Sequence, residues 1–400
     1  MKPSPGKEKA ASSYGVLLFI CCIIAFASYI SSYMRIPVVP LFARSLGADT
    51  VMVGLINSAF LLMAGLLSFP LGVFSDRLGR KPLVVGGLLL SAGTAFLLAV
   101  GSSPLQLLGI YILFGLALAA VGPTLMAQVA DISPLTHLGR SYGWFTTAIY
   151  GGMSLGPAAG GWLAGWLGFR PLFLLSGIFL VLIVALAAVY LPGAGAARRE
   201  TALPDWPRAL AEIRNNRHLL GCWLATLGGC FALGMFITFA PLYLNDSGLS
   251  VAAIGLVFSA QGGVNALSRI PLGRLSDAVA RRWLQGVLGL ALVGASLAAF
   301  GFARTPLQFL AAAVLLGVSM GLAFTAIGAL IAEVVPLDFR GLAMGGYNTC
   351  IYLGMMLSSA AMGEVIQRIG FAGSYLLAGL VVLLSAGGFF LLIRDFSPLH

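Results

Sequence analysis

The sequence predicts an all-α membrane protein with twelve transmembrane helices, arranged as two parallel six-helix repeats. Three observations carry this. Hydrophobic residues make up 59% of the 400 and charged residues only 9%, with a mean hydropathy of +0.99. A soluble protein carries about 25% charged residues, so this chain cannot clothe a water-exposed surface. Its apolar residues fall into twelve stretches near the length of about 20 that a crossing needs. The second half also repeats the first, without gaps, over long stretches.

The first span, near 14–42, follows Lys2, Lys7 and Lys9. Residues 15–30 have the look of a signal-peptide core, but the segment has its own counterpart in the second half and is therefore read as a span. Spans two and three, 50–75 and 82–101, flank Gly72-Val-Phe-Ser-Asp-Arg-Leu-Gly-Arg-Lys81, the one dense charge cluster between them. Asp76, Arg77, Arg80 and Lys81 mark where a buried helix surfaces into water, and Gly79 permits the tight turn back. Spans four to six follow at 105–131, 140–166 and 170–191.

Residues 192–217 break the pattern. They begin Leu-Pro-Gly-Ala-Gly and then carry Arg198, Arg199, Glu200, Asp205, Arg208, Glu212, Arg214 and Arg217. This segment is read as a linker on the cytoplasmic side, either solvated or with a short surface helix over 207–216. It divides an N-terminal domain, 1–191, from a C-terminal domain, 218–400. The remaining spans lie near 218–245, 250–276, 283–303, 306–333, 341–368 and 371–393. Several exceed what a bilayer requires, so tilt is expected.

At an offset of 201, Pro40-Leu41 maps to Pro241-Leu242, Gly47 to Gly248, and Gly54-Leu55 to Gly255-Leu256. Ser58-Ala59 maps to Ser259-Ala260, and Pro70-Leu71-Gly72 to Pro271-Leu272-Gly273. Asp76 maps to Asp277 and Arg80 to Arg281. At 202, Pro134-Leu135 maps to Pro336-Leu337, Tyr150 to Tyr352, Gly152 to Gly354, and Gly168-Phe169 to Gly370-Phe371. Six spans is an even number, so both halves insert the same way, as parallel repeats about an axis along the membrane normal.

Of the 23 Lys and Arg, Arg35, Arg44, Arg170, Arg304 and Arg368 lie towards one side, and Arg269 lies within a span. The rest share a side with the N-terminus. By the positive-inside rule that side, with both termini, is cytoplasmic. The net charge of +10 is spread between spans rather than gathered in a patch, so nucleic acid is not an expected partner. Cys21, Cys22, Cys222, Cys230 and Cys350 fall inside apolar stretches without metal spacing, and read as reduced packing residues. His137, His218 and His400 sit at loops or ends and form neither a metal site nor a catalytic triad. A phosphate-binding Gly-Lys-Ser/Thr loop is absent from the sequence, which argues against direct drive by ATP. No enzyme activity, metal or cofactor is expected.

Residues 72–81 resemble the loop 2–3 signature of the major facilitator superfamily, G-x-L-A-D-R-x-G-R-K, with Phe74 at the usual Leu. Gly152-Met-Ser-Leu-Gly-Pro-Ala-Ala-Gly-Gly161 resembles the span-5 motif of its antiporter branch. With the six-plus-six repeat, the resemblance covers nearly the whole chain. It implies two six-helix domains around a central cavity, and alternating access by rocking. It also implies a secondary transporter of a small organic molecule in the inner membrane, an exporter coupled to protons, acting as a monomer. The alternatives are an importer or facilitator of an organic anion, and a sensor or scaffold without transport. Two positions depart from the family. Antiporters usually carry an Arg in span 4, four residues before a Gly; here Tyr111 precedes Gly115. Ser358-Ser359 stands in the second half where the first has Gly156-Pro157.

The resemblance implies a latch in which Asp76 caps a helix end across the domain interface and Arg80 bridges to Asp131. Gly72, Arg77, Gly79 and Lys81 complete it, and Gly273, Asp277 and Arg281 echo it. Gly152, Gly156 and Gly160 recur every four residues and share a helix face, which lets helices pack closely. Pro157 bends the span, and Gly161 extends the small-residue run.

Arg269 is the most informative residue. It lies eight residues before Asp277, about 12 Å deeper at 1.5 Å per residue, against a half-thickness of about 15 Å. An ionisable group there usually faces a cavity or a partner. Gln261 and Asn265 share its face. No Asp or Glu lies clearly mid-membrane, so the cavity is expected to prefer neutral or anionic compounds. The other cavity candidates are Tyr29, Tyr33, Arg35, Asn57, Tyr111, Asn348 and Tyr352.

Overall fold

A computed structural model describes residues 5–192, 213–278, 281–336 and 339–396. The side chains of 5–13, Phe69, Val73, Asp76, Arg77, Leu135, Asp277 and Ala278 lie outside the description, as does most of the expected linker. Among the described residues the first half consists of α1 (Pro5–Arg35), α2 (Val39–Ser45), α3 (Thr50–Leu78), α4 (Arg80–Val100), α5 (Pro104–Ile132), α6 (Leu138–Leu167) and α7 (Phe169–Tyr190). The second consists of α8 (Arg217–Asp246), α9 (Val251–Ala278), α10 (Arg282–Phe302), α11 (Pro306–Val334) and α12 (Arg340–Ile393).

Among the described residues, ten segments, with α1 and α2 taken together, are long and apolar enough to cross a membrane. Two adjustments bring these to the twelve crossings expected. The 54 residues of α12 would span about 80 Å as one helix, far more than the roughly 30 Å core. Gly370, at φ 72°, breaks it into two arms. The other is α6, which falls short in hydropathy because glycine and polar residues dilute it, yet it packs between α1 and α9 within the bundle. Its low hydropathy reflects protein neighbours in place of lipid.

The first span differs from expectation in one respect. The chain breaks between Arg35 and Val39, whereas α8 runs continuously through Pro241. Pro37 and Pro40 together remove two backbone donors and crowd the preceding turn. Only Pro40 has a proline counterpart, because Thr238 stands at the position equivalent to Pro37.

The repeat extends to local detail. Ser103 caps α5 by accepting from the Gln106 N–H, and Thr305 caps α11 with Gln308 as a full capping box, each followed by a proline at the first helical position. Gly79 turns the chain between α3 and α4 at φ 92°, a backbone region that favours glycine.

The halves meet along two seams. One joins α3 to the first arm of α12; the other joins α6 to α9. Both are built from glycine facing backbone. A methyl added to Gly363 would lie 2.6 Å from the Thr50 carbonyl oxygen, and one on Gly161 2.6 Å from that of Val251. In lipid, such close approach is what holds helices together.

Candidate functional site: two ends and a middle

Two ends of the bundle differ chemically. The basic end carries Arg80, Lys81, Arg140 and Arg282; the opposite end carries the turns at Gly47, Gly168, Gly248 and Gly370.

At the basic end, Arg80 Nε donates to Asp131 Oδ2 at 3.0 Å, joining the start of α4 to the end of α5. A second Arg80 nitrogen donates to Ser75 Oγ. The pairing of Arg80 with Asp131 is thus in place within the first half. Asp76, Arg77 and Asp277 have side chains outside the described residues, so their part in the latch is a proposal. The second half holds a matching pair, Arg282 Nη1 to Glu333 Oε1 at 2.7 Å. Both members stand 202 positions after Arg80 and Asp131. The sequence reading aligned Arg80 with Arg281, which instead forms the N-cap of α10. One extra residue between Asp277 and Arg282 shifts the repeat from 201 to 202, and that slip was the signal. Gly72 and Gly273 sit on α3 and α9, and neither presses on backbone.

The span-5 glycines divide between two neighbours. A methyl on Gly152 would lie 2.6 Å from the Phe26 carbonyl oxygen, and one on Gly156 2.8 Å from that of Ile30; Gly160 abuts the Met34 backbone. These three seat α6 on α1. Pro157 and Gly161 turn the other way, against Gly255 of α9. Ser259 Oγ accepts from the Ala158 N–H at 2.8 Å, tying α9 to α6 just past the proline.

The opposite end is closed. Arg44 at the end of α2 donates through both terminal nitrogens to Asp246 at the end of α8, at 2.5 and 3.1 Å. Gln367 donates to Asp49 at 2.9 Å, and the Thr50 hydroxyl to the Gly363 carbonyl at 2.8 Å. The sequence reading did not single out Arg44 and Asp246. They lie at the ends of α2 and α8, so the pair joins the first half to the second.

Midway between the ends, part of the expected cavity set assembles. Tyr29 and Tyr33 stack along α1, ring centroids 6.3 Å apart. Tyr352 of α12 lies against Gly65 of α3 and near Ser68. The Cβ atoms of Tyr29 and Tyr33 lie beside Gly152 and Gly156 of α6, the helix that carries Tyr150. Arg269 lies half-buried with its guanidinium carbon 4.9 Å above the ring of Tyr150, and its Nε donates to Asn265 Oδ1 at 3.2 Å. A cation on an aromatic face is worth about 0.5–2 kcal/mol, more as water is removed. Tyr150 and Tyr347, both beside Arg269, escaped the sequence reading. For Tyr150 the signal was its repeat equivalence to Tyr352.

Other candidates lie elsewhere. Arg35 is 1% exposed and locked inside the first half. Its Nη1 donates to Thr94 Oγ1 and its Nη2 to Ser91 Oγ, both at 3.2 Å; its Nε donates to the Ser31 carbonyl, and its guanidinium lies 4.5 Å over Phe114. Tyr111, 2% exposed, packs on Phe60 and Phe114 next to it. Asn57 is buried against Val39, Pro40 and Ile56. Gln261 turns towards Met320 of α11, at 3.6 Å from its sulfur. Asn348 is exposed on α12.

Twelve crossings in two pseudo-equivalent halves, with an intramembrane cation and a tyrosine cluster between them, define a polytopic transporter. The sequence matches the Major Facilitator Superfamily over residues 21–255 and again over 222–399, and the chain belongs to that family. It is 24% identical over 361 residues to an uncharacterized MFS-type transporter of Methanocaldococcus jannaschii, covering 90% of this chain and 93% of that one. It is 26% identical to a multi-drug resistance efflux pump PmrA homolog of Lactococcus lactis, covering 90% and 91%. With the quinolone resistance protein NorA of Staphylococcus aureus it shares 27% identity, covering 63% and 65%. Among solved structures, a bacterial homolog of the human lysosomal transporter Spinster superposes with a TM-score of 0.80 at 17% identity, covering 96% and 98%. The nucleoside transporter NupG gives 0.76 at 16%, covering 95% and 100%.

Proposed function

We propose that this chain exports small organic molecules across the inner membrane by alternating access, coupled to protons, with domains 1–191 and 218–400 rocking about the linker 192–217. The observation that carries this reading is the contrast between the two ends. At the opposite end, Arg44–Asp246 and both glycine seams hold the halves together. Towards the basic end, the ion pairs of the described residues, Arg80–Asp131 and Arg282–Glu333, each stay within one half. With the basic end cytoplasmic, this is the arrangement of a transporter open to the inside. The reverse state requires Arg44–Asp246 to part and the seams to unzip. The loops carrying Arg80–Asp131 and Arg282–Glu333 then meet at the other end, where Asp76 acts as a latch.

Efflux is supported by relatives named for drug efflux and quinolone resistance. Everted membrane vesicles test it. Accumulation of probe compounds is expected on imposing a pH gradient, and a protonophore should abolish it. Accumulation only in right-side-out vesicles would overturn the export reading. A second reading, transport of an organic anion in either direction, is favoured by one observation: the cation near the middle is Arg269, and each described acidic side chain sits near a helix end.

A further inference from the structure

Arg269 presents an unfinished recognition site. Its Nε is engaged by Asn265 and the face of its guanidinium by Tyr150, from α9 and α6 respectively. Among the described residues, its Nη1 and Nη2 donate to nothing. A half-buried guanidinium with two free donors side by side is shaped for a two-oxygen acceptor, because the fork matches a carboxylate edge-on. Among the described residues, no carboxylate is paired with it. Of the described acids, Asp131, Asp246, Glu333, Glu364 and Asp395 are each paired with an arginine near a helix end, and Asp49 caps α3.

Next to this fork lie flat, amphipathic surfaces. Tyr150 touches Arg269, Tyr29 and Tyr33 stack on each other with their Cβ atoms beside Gly152 and Gly156 of α6, and Tyr352 lies against Gly65 of α3. Tyrosine rings offer faces for aromatic packing and hydroxyls at their rims. They come from α1, α6 and α12, so a molecule held between them and Arg269 would touch both halves. Such a ligand bears on the equilibrium between the two states, because rocking changes its contacts.

We propose that Arg269, oriented by Asn265 and Tyr150, binds the carboxylate of an aromatic monocarboxylate whose ring packs on Tyr29, Tyr33 and Tyr352. This rests on the reading of the middle of the bundle as the substrate cavity. Tyr150 and Asn265 are positioning residues for the guanidinium; Arg269 is the contact.

The test uses the purified full-length protein in nanodiscs and isothermal titration with three isosteric probes: 2-naphthoate, 2-naphthamide and 2-naphthylmethylammonium. The wild type should bind 2-naphthoate tightest. Arg269→Gln should weaken 2-naphthoate at least tenfold and leave 2-naphthamide within twofold, which also shows that the variant is folded. Arg269→Lys, a point charge without the fork, should fall between. Tightest binding of the ammonium probe, or unchanged 2-naphthoate binding in Arg269→Gln, would overturn the proposal. Tyr29→Ala and Tyr352→Ala separate it from the cavity reading. If they weaken all three probes while Arg269→Gln weakens none, the cavity stands and the carboxylate site falls. If neither they nor Arg269→Gln alter any probe, both fall.

Discussion

Two arginines, one buried and one half-buried, show how residue chemistry divides by surroundings. Arg35 has its donors satisfied by Thr94, Ser91 and the Ser31 carbonyl, and it staples α1 to α4. The Thr94 hydroxyl already donates to the Ser91 carbonyl, so it keeps a partner if Arg35 is lost. Lysine cannot reach all three acceptors, yet would keep a charge in the interior. Arg35→Lys is therefore expected to lower stability by about 1.5–3 kcal/mol, the worth of a charged hydrogen bond. Arg35→Met should cost less, since replacing a buried charge by an apolar group of similar volume is often close to neutral. Thermal unfolding of the purified variants measures both, and the reverse order would refute the staple. Arg269 differs because it lies between the halves, on α9 against Tyr150 of α6.

At the scale of helices, the seams act as the moving parts. Gly161 lies on the α6–α9 seam, where an added methyl would lie 2.9 Å from the Gly255 Cα. Overpacking of this kind costs about 1–3 kcal/mol, and it is charged only to the state in which the seam is closed. Gly161→Ala should thus shift the population towards opening at the Gly47 end. Cysteines introduced at Asp49 and Gln367, whose side chains meet at 2.9 Å, should cross-link several-fold less in that background; Gly93→Ala, where a methyl meets nothing within 4 Å, should leave the yield unchanged. The ion pairs of the basic end belong to a different class. Arg80–Asp131 and Arg282–Glu333 are partly exposed, and such pairs contribute about 0.2–1 kcal/mol to stability. Asp131→Asn and Glu333→Gln are expected to express and unfold like the wild type while transport falls more than tenfold. Full transport by both variants would leave these pairs a role in topology alone.

For the molecule as a whole, Arg44–Asp246 links the two halves at the end that carries Gly47 and Gly248. Reversing one charge, Arg44→Asp, sets two carboxylates face to face and should favour the state open at that end. The double exchange, Arg44→Asp with Asp246→Arg, should restore the wild-type distribution. Accessibility of a cysteine placed at Ser58, on the α3–α12 seam, to a membrane-impermeant thiol reagent reads the shift. Labelling that rises in the single variant and returns in the double one is the expected pattern. Equal labelling in all three would show that the glycine seams alone hold this end closed.

Much of this architecture was legible in the sequence, because partition into lipid is a property of each segment by itself. Hydropathy marked the spans, and the repeat from Pro40 to Phe371 marked the halves as parallel. The loop motif placed Arg80 opposite Asp131. Only the tertiary structure decided that Arg35 turns into the first half, that Tyr150 comes under Arg269, and that Arg282 rather than Arg281 pairs with Glu333. It alone decided which end of the bundle is closed. These outcomes depend on the rotation and register of each helix against its neighbours. In lipid that choice rests on close contact between small residues rather than on hydrophobicity. A contact belongs to two segments at once, so neither segment carries it in its own composition.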